Sequence, residues 1–160
     1  MPQKQALDRT DCEILALLTN DGRLSNKELA ARVGLAPSSA HARVQRLLEE
    51  GYVAGFHAEL DTEKLGFGLH AMISIQIDQA TAIESFADGL LAFPEVLEVF
   101  QVSGKEDLLV HVATQDTDHL RQLVMHRLVG EGGQGGVRHV ETSIVFRHLR
   151  SHDLPTREQP

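Results

Sequence analysis

Residues 25–51 read SNKELAARVGLAPSSAHARVQRLLEEG, and the punctuation of this stretch decides the fold of the N-terminal third. Ser25 and Glu28 stand at capping-box spacing, so the hydroxyl and the carboxylate each satisfy a backbone N–H that the first helical turn leaves orphaned. The helix they open carries Leu29, Ala30 and Val33 and stops at Gly34. Leu35-Ala36-Pro37 makes a turn, and Pro37 suits the first position of a further helix because its missing N–H is not needed there. That helix places Ala40, Val44, Leu47 and Leu48 on one face and ends at Gly51, a residue free to take the left-handed cap conformation. Two helices joined by so tight a turn predict a helix-turn-helix, whose second helix fits the major groove of duplex DNA. With Ala30, Val33, Leu35, Ala40, Val44 and Leu47 turned inward, Ser38, Ser39, His41, Ala42, Arg43, Gln45 and Arg46 point outward or sideways. Ser38 and Ser39 lie at the helix N-terminus, where hydroxyls and free N–H groups suit a phosphate. His41, Ala42 and Gln45 are placed to meet base edges, and Arg43 and Arg46 suit phosphate or guanine. The spacing equally fits a helical hairpin that packs only against another protein.

Upstream, Asp8 can cap a first helix bearing Ile14, Leu15 and Leu18, which Asn20-Asp21-Gly22 ends. Downstream of Gly51 the period changes. Tyr52 to Leu60 reads as an extended linker or strand, and Gly66, Phe67 and Gly68 mark a joint. Leu69, Ala71, Ile73, Ile75 and Ile77 then alternate with polar or less apolar neighbours, as in a half-buried strand. A second capping box, Thr81 to Glu84, opens a helix with Ile83, Phe86, Ala87, Leu90 and Leu91. Strands follow from Val96 to Val102 and from Asp107 to Ala113, joined by a turn at Ser103 to Glu106. A helix with Leu120, Leu123, Val124 and Leu128 comes next, then a glycine-rich connector at 130–136 and a last strand from Val137 to Arg150. The order β-α-β-β-α-β predicts an α+β chain: a three-helix N-terminal domain followed by a ferredoxin-like sheet with both helices on one face. The expected organisation is residues 1–51 as the DNA-binding domain, 52–66 as a linker strand, 67–150 as the βαββαβ domain and 151–160 as a polar tail. The uncovered face, read as Met72, Leu97, Val99, Leu109 and Val145, is too apolar to stay wet, so sheet-on-sheet dimerisation is expected.

Composition narrows the classes. The net charge is −8, but residues 1–50 hold seven basic and seven acidic groups, so the whole excess of acid lies downstream. A neutral domain can still present a local basic face while the acidic remainder is repelled from DNA. No apolar run is long enough for a membrane span, the start carries no export signal, and Cys12 is the only cysteine, which together favour the cytoplasm. Of the nine histidines none stands in a zinc-ligand set with cysteine, so no metal and no cofactor is expected. His70 and His111 can share the open sheet face, which leaves a metal-responsive variant as the lesser alternative to ordinary surface or interface histidines, and such histidines can make oligomerisation depend on pH near about 6–7.

Leu7 through Leu15, Asp21-Gly22-Arg23, Glu28-Leu29-Ala30, Val33-Gly34-Leu35, Arg43 to Leu47 and Glu50-Gly51 resemble, in order, the Lrp/AsnC family of transcription regulators. The resemblance continues through Leu60-Asp61, Leu65-Gly66, Phe93 to Val96 and Val102 to Leu109, and so covers about residues 7–150. It implies a plain or winged helix-turn-helix binding double-stranded DNA, and a dimer assembling to octamers or other higher oligomers. It also implies an amino-acid-like effector held at contacts between dimers. The family's Gly-x-x-Asp turn falls on Gly104 and Asp107, with Ser103 beside it, and the resemblance adds Ser143, Ile144 and Val145 as residues facing the ligand across an interface. Gly104 would let the backbone approach the ligand, and Asp107 would take its ammonium group. The alternative is that Gly104 only makes the turn and Asp107 only orders it. Ala36 stands where the family usually has Ser, Ala42 and Gln45 where it often has basic residues, and Leu108 where Tyr is frequent. The expected function is therefore a DNA-binding regulator answering to a metabolite, not an enzyme. A sensor or scaffold that has lost DNA binding, and a haem-pathway decarboxylase of similar architecture, are the competing readings.

Overall fold

The computed structural model describes residues 6–78, 83–128 and 136–151. The described residues divide into two compact units, those up to 59 together with those from 149 onward, and those from 60 to 148.

In the first unit, α1 (Arg9–Asn20), α2 (Asn26–Val33) and α3 (Pro37–Glu49) form in the order the caps prescribe. Asp8 and Asp11 make a capping box at the start of α1, and Ser25 and Glu28 make the expected one at α2. Gly34 closes α2 at φ 69° and Gly51 follows α3 at φ 75°, both in the left-handed region that glycine enters without strain. Pro37 is the first residue of α3, but Ala36 before it offers no side-chain cap. Ile14, Leu29, Val44 and Leu47 are buried together, with Tyr52 and Val53 packed against them. Tyr52 to Leu60 is not a strand. The N–H groups of Tyr52 and Val53 both bond to the Leu47 carbonyl, so this segment first finishes the helical core and then runs on in no regular element.

The second unit is a four-stranded antiparallel sheet in the order β2-β3-β1-β4, with β1 (Leu69–Ile77), β2 (Val96–Gln101), β3 (Leu108–Thr114) and β4 (Val137–Ile144). Helix α4 (Ile83–Leu90) and α5 (Thr117–Gln122) belong to the same unit. Ala71, Ile73, Ile75 and Ile77 from β1 and Leu108, Val110 and Val112 from β3 form its core with Phe86, Leu90 and Leu120. Helix α5 runs on into one π-helical segment, Leu123–Leu128. The wider turn takes up the extra residue, so that Leu123 and Leu128, five apart, are both buried. Thr81 and Ala82 of the expected second capping box, and the connector at 130–135, lie outside the described residues.

Three further expectations need correction. Val99 does not face outward: the register of β2 shifts between Val96 and Glu98, which sends Val99 into the core opposite Val110. Glu98 and Phe100 take the open face instead, opposite His111 and Leu109. The last strand ends at Ile144 rather than Arg150, because β1 begins at Leu69 and its last bond to this strand is from the Val145 N–H to the His70 carbonyl. Leu91 lies beyond α4 and is exposed.

Glu95, 5% exposed, ties the start of β2 to the α5 segment. It accepts hydrogen bonds from His119 Nε2 at 3.0 Å and from Arg127 Nη1 at 3.0 and 3.1 Å. Burial raises its carboxyl pKa, but these donors and charges outweigh that and hold it below the usual value.

Candidate functional site

Helix α3 presents two adjacent stripes at helical spacing. Ser38, Ala42 and Gln45 form one, with His41 beside it, and all four are exposed. Ser39, Arg43 and Arg46 form the other, and here the two arginines are half-buried. The reason lies on α1. Arg43 Nη1 donates to Asp8 Oδ2 at 2.6 Å and to Asp11 Oδ1 at 2.7 Å, while Arg46 Nη2 donates to Asp11 Oδ2 at 2.5 Å. Asp11 is 1% exposed. Burial pushes its carboxyl pKa up, yet the hydrogen bonds from Arg46, from the Asp8 N–H and from Arg43 prevail and bring it down to about 2. Both guanidinium groups are thus held on α1 rather than projecting freely, and the outermost groups of α3 are hydroxyl, imidazole, methyl and carboxamide. The sequence reading missed Asp8 and Asp11 as partners of the candidate arginines. The signal was present as two acids three apart on α1, but only the fold brings them across a separation of more than thirty residues.

His41 is positioned from α2, where the Asn26 side-chain nitrogen lies 3.1 Å from His41 Nδ1. With the amide as donor, the ring directs its other nitrogen outward as an N–H. The first turn of α3 has no side-chain cap, so the Ser38 N–H and the Ser38 and Ser39 hydroxyls remain available at the positive end of the helix dipole.

In the second unit the 102–107 turn closes onto β1. The Val102 N–H bonds to the Asp107 carbonyl, the Asp107 N–H to the Ile75 carbonyl, and the Ile77 N–H to Asp107 Oδ2 at 2.7 Å. Gln76 Nε2 donates to the Lys105 carbonyl at 3.0 Å. Gly104 adopts φ 138° with nothing within 4 Å of where a Cβ would stand, so its backbone faces open space. One Asp107 oxygen is therefore committed to ordering the turn. Beside it Glu106 Oε2 is buried and accepts no hydrogen bond, a carboxylate oxygen that the sequence reading did not single out.

Ser143 and Ile144 pair with Met72 and Ala71, and Val145 bonds to His70. These positions lie three to seven residues along β1 from Ile75 and Ile77, to which Asp107 is tied, roughly 10–23 Å at strand rise. A single chain does not bring the two candidate effector groups together. Among the described residues no group of three or more His, Cys, Asp or Glu side chains is arranged to hold a metal ion, and no helix is long and apolar enough to cross a membrane.

Comparison with known proteins places both units. The family model for winged helix-turn-helix DNA-binding domains matches residues 7–54, and that for the Lrp/AsnC ligand binding domain matches residues 70–155. The HTH-type transcriptional regulator AldR of Mycolicibacterium smegmatis is 39% identical over 146 residues, covering 90% of this chain and 84% of its own. The Bkd operon transcriptional regulator of Pseudomonas aeruginosa is 33% identical over 134 residues, covering 82% and 88%. A transcriptional regulator of Neisseria meningitidis, solved as its L-Met complex, superposes with TM-score 0.83 at 34% identity over 91% of this chain and 94% of its own. The chain belongs to the Lrp/AsnC family of helix-turn-helix transcriptional regulators.

Proposed function

We propose that the chain binds double-stranded DNA through α3 as a homodimer assembling to higher oligomers, and that an amino acid or closely related metabolite shifts that binding or assembly. The observation that carries the DNA-contact reading is the exposure of Ser38, Ser39, His41, Ala42 and Gln45 on one side of α3. Gln45 has the geometry to pair with adenine, Ala42 can meet a thymine methyl group, and the uncapped first turn with its two serines suits a phosphate. Arg43 and Arg46, bound to Asp8 and Asp11, serve to fix α3 on α1 and contribute long-range charge rather than guanine readout.

Effector binding is assigned to Ser103, Gly104 and Asp107 of one chain, with Ser143, Ile144 and Val145 of another. Their separation within one chain supports a site completed between copies. The open turn at Gly104 suits a carboxylate, and the carboxylates of Asp107 and Glu106 suit an ammonium group. The relative from Neisseria meningitidis was solved with L-Met, which supports the amino-acid class. Met72, Leu109 and Phe100 on the uncovered sheet face support a second copy of the chain as its cover. Such a regulator works without catalysis, in the cytoplasm, with the effector shifting the population by its differential affinity for the assembled states.

One measurement tests the reading: titration of the DNA upstream of the protein's own coding region, at several salt concentrations, with and without a pool of amino acids. Salt-sensitive binding altered by the pool is expected. Absence of binding at low salt would favour a sensor without DNA binding, a reading to which the sequestered arginines lend support.

A further inference from the structure

On the open face of the sheet, apart from α3 and from the Gly104 turn, four side chains form a continuous polar line. Thr62 Oγ1 lies 2.8 Å from His70 Nε2. His70 Nδ1 lies 3.0 Å from His111 Nε2. His111 Nδ1 stands 3.6 Å from Glu98 Oε2, an ion-pair distance rather than a hydrogen bond. The line crosses the turn before β1, then β1, β3 and β2. His148, following β4, meets the His111 ring edge-on with centroids 5.9 Å apart. The other charged or titratable groups that β4 places on this face, Glu141 and His139, pair with Ser74 and Gln76 farther along β1.

The tautomers of this line are set by counting protons. With both rings neutral, the Glu98 carboxylate favours the proton on His111 Nδ1, which leaves His111 Nε2 as an acceptor. His70 must then donate from Nδ1, and its Nε2 accepts from the Thr62 hydroxyl. One added proton is accommodated without movement of either ring: it enters at His70 Nε2, the Thr62 hydroxyl turns to accept, and Glu98 balances the charge. A second added proton has no such place. It must enter at His111 Nε2, where two N–H groups would then face each other across 3.0 Å and two cations would share a half-buried site.

We propose that Thr62, His70, His111 and Glu98 form a proton-limited latch on the open sheet face, which keeps its geometry with no or one added proton and opens on the second, releasing a second copy of the chain seated there. The inference rests on the dimer reading above. Burial, together with the neighbouring His111 and His148, holds His70 below the ordinary histidine range, so the first proton, which enters at His70, is itself taken up only in more acid solution. The face therefore stays closed while the line holds no more than one added proton and opens in acid when the second arrives.

The test uses the full chain. Sedimentation velocity at pH 8 and pH 5 should give an assembled species at the first and a smaller, still folded species at the second. His111→Gln keeps an acceptor for the His70 N–H and removes the second proton site, so it should stay assembled at both. If that variant does not fold, His70→Asn, which keeps a donor near the Nδ1 position, is expected to behave the same way. Nitrogen-15 spectra of the imidazoles at pH 8 should show both rings protonated at Nδ1. Wild-type assembly unchanged at pH 5 would overturn the latch and leave the dimer reading standing. A monomer at both pH values would overturn both. Loss of far-ultraviolet circular dichroism at pH 5, wild-type pH dependence in His111→Gln, or an Nε2–H tautomer on either ring at pH 8 would each overturn the latch.

Discussion

Asp11 holds α1 and α3 together at one point, and its charge is maintained only because two guanidinium groups and the Asp8 N–H meet its carboxylate in a site where it is 1% exposed. Its folded pKa of about 2 lies below the ordinary 3.8, so the contribution is complete above about pH 4 and is lost as pH falls through about 2. A displacement of that size corresponds to about 2 kcal/mol. Asp11→Asn removes the charge but keeps the shape, and should lower the unfolding free energy in urea at pH 7 by about 1.5–3 kcal/mol. It should also flatten the dependence of stability on pH between 4 and 2. Equal losses for wild type and variant across that window would mean the cluster carries no net stability. Gly104 poses the opposite case. A Cβ there meets open space, so Gly104→Ala should cost only the backbone strain of its positive φ, about 1–3 kcal/mol, in the same assay. If effector binding is lost while stability falls no further, the glycine serves the ligand as well as the turn.

At the scale of elements, what was legible in the sequence was local. The caps at Asp8 and Ser25, the stops at Gly34 and Gly51, the start at Pro37 and the alternation along β1 depend on residues within a turn of one another, and each stands where the spacing puts it. What was not legible depended on distant partners. Nothing within α3 reveals that Arg43 and Arg46 reach acids on α1, nothing in β2 announces the shift that turns Val99 inward, and the end of β4 is set by where β1 begins. The candidate effector residues were named by resemblance, and only the paired register reveals that one chain keeps them apart. Two elements invite tests. Helix α3 begins without a side-chain cap, so Ala36→Ser should raise thermal stability by about 0.5–2 kcal/mol. If the uncapped turn also serves a phosphate, the same variant should bind DNA no more tightly despite its greater stability. In the second unit, Glu95→Gln weakens the tie between β2 and the α5 segment. A loss of about 1–3 kcal/mol is expected at pH 7, shrinking as wild-type Glu95 is itself protonated in acid, where its depressed pKa no longer protects it.

For the whole molecule, charge decides how DNA can be held. The chain carries −8 overall, its first fifty residues are neutral, and the arginines of α3 are already paired within the protein. Among the described residues of the helix-turn-helix, Arg23, Lys27 and Arg32 stand without a salt bridge and are the cations left for phosphates. If all three reach the backbone in each half of a dimer, six contacts give a slope of log affinity against log salt of roughly −5. A single dimer would then bind with modest strength at physiological salt, and tight binding would have to come from several linked dimers on one DNA segment, where effective concentration replaces additional contacts. The measurement is binding to short DNA carrying one site and to longer DNA carrying several, each across a range of salt. A slope near roughly −5 on the short fragment, steepening toward roughly −10 or beyond on the longer one, is the expected pattern. Equal slopes on both would mean that one dimer does all the binding. A slope already near roughly −10 on the short fragment would mean that the acidic clamp on Arg43 and Arg46 opens on DNA and hands both arginines to the phosphates. In that case Asp11→Asn should bind more tightly than wild type.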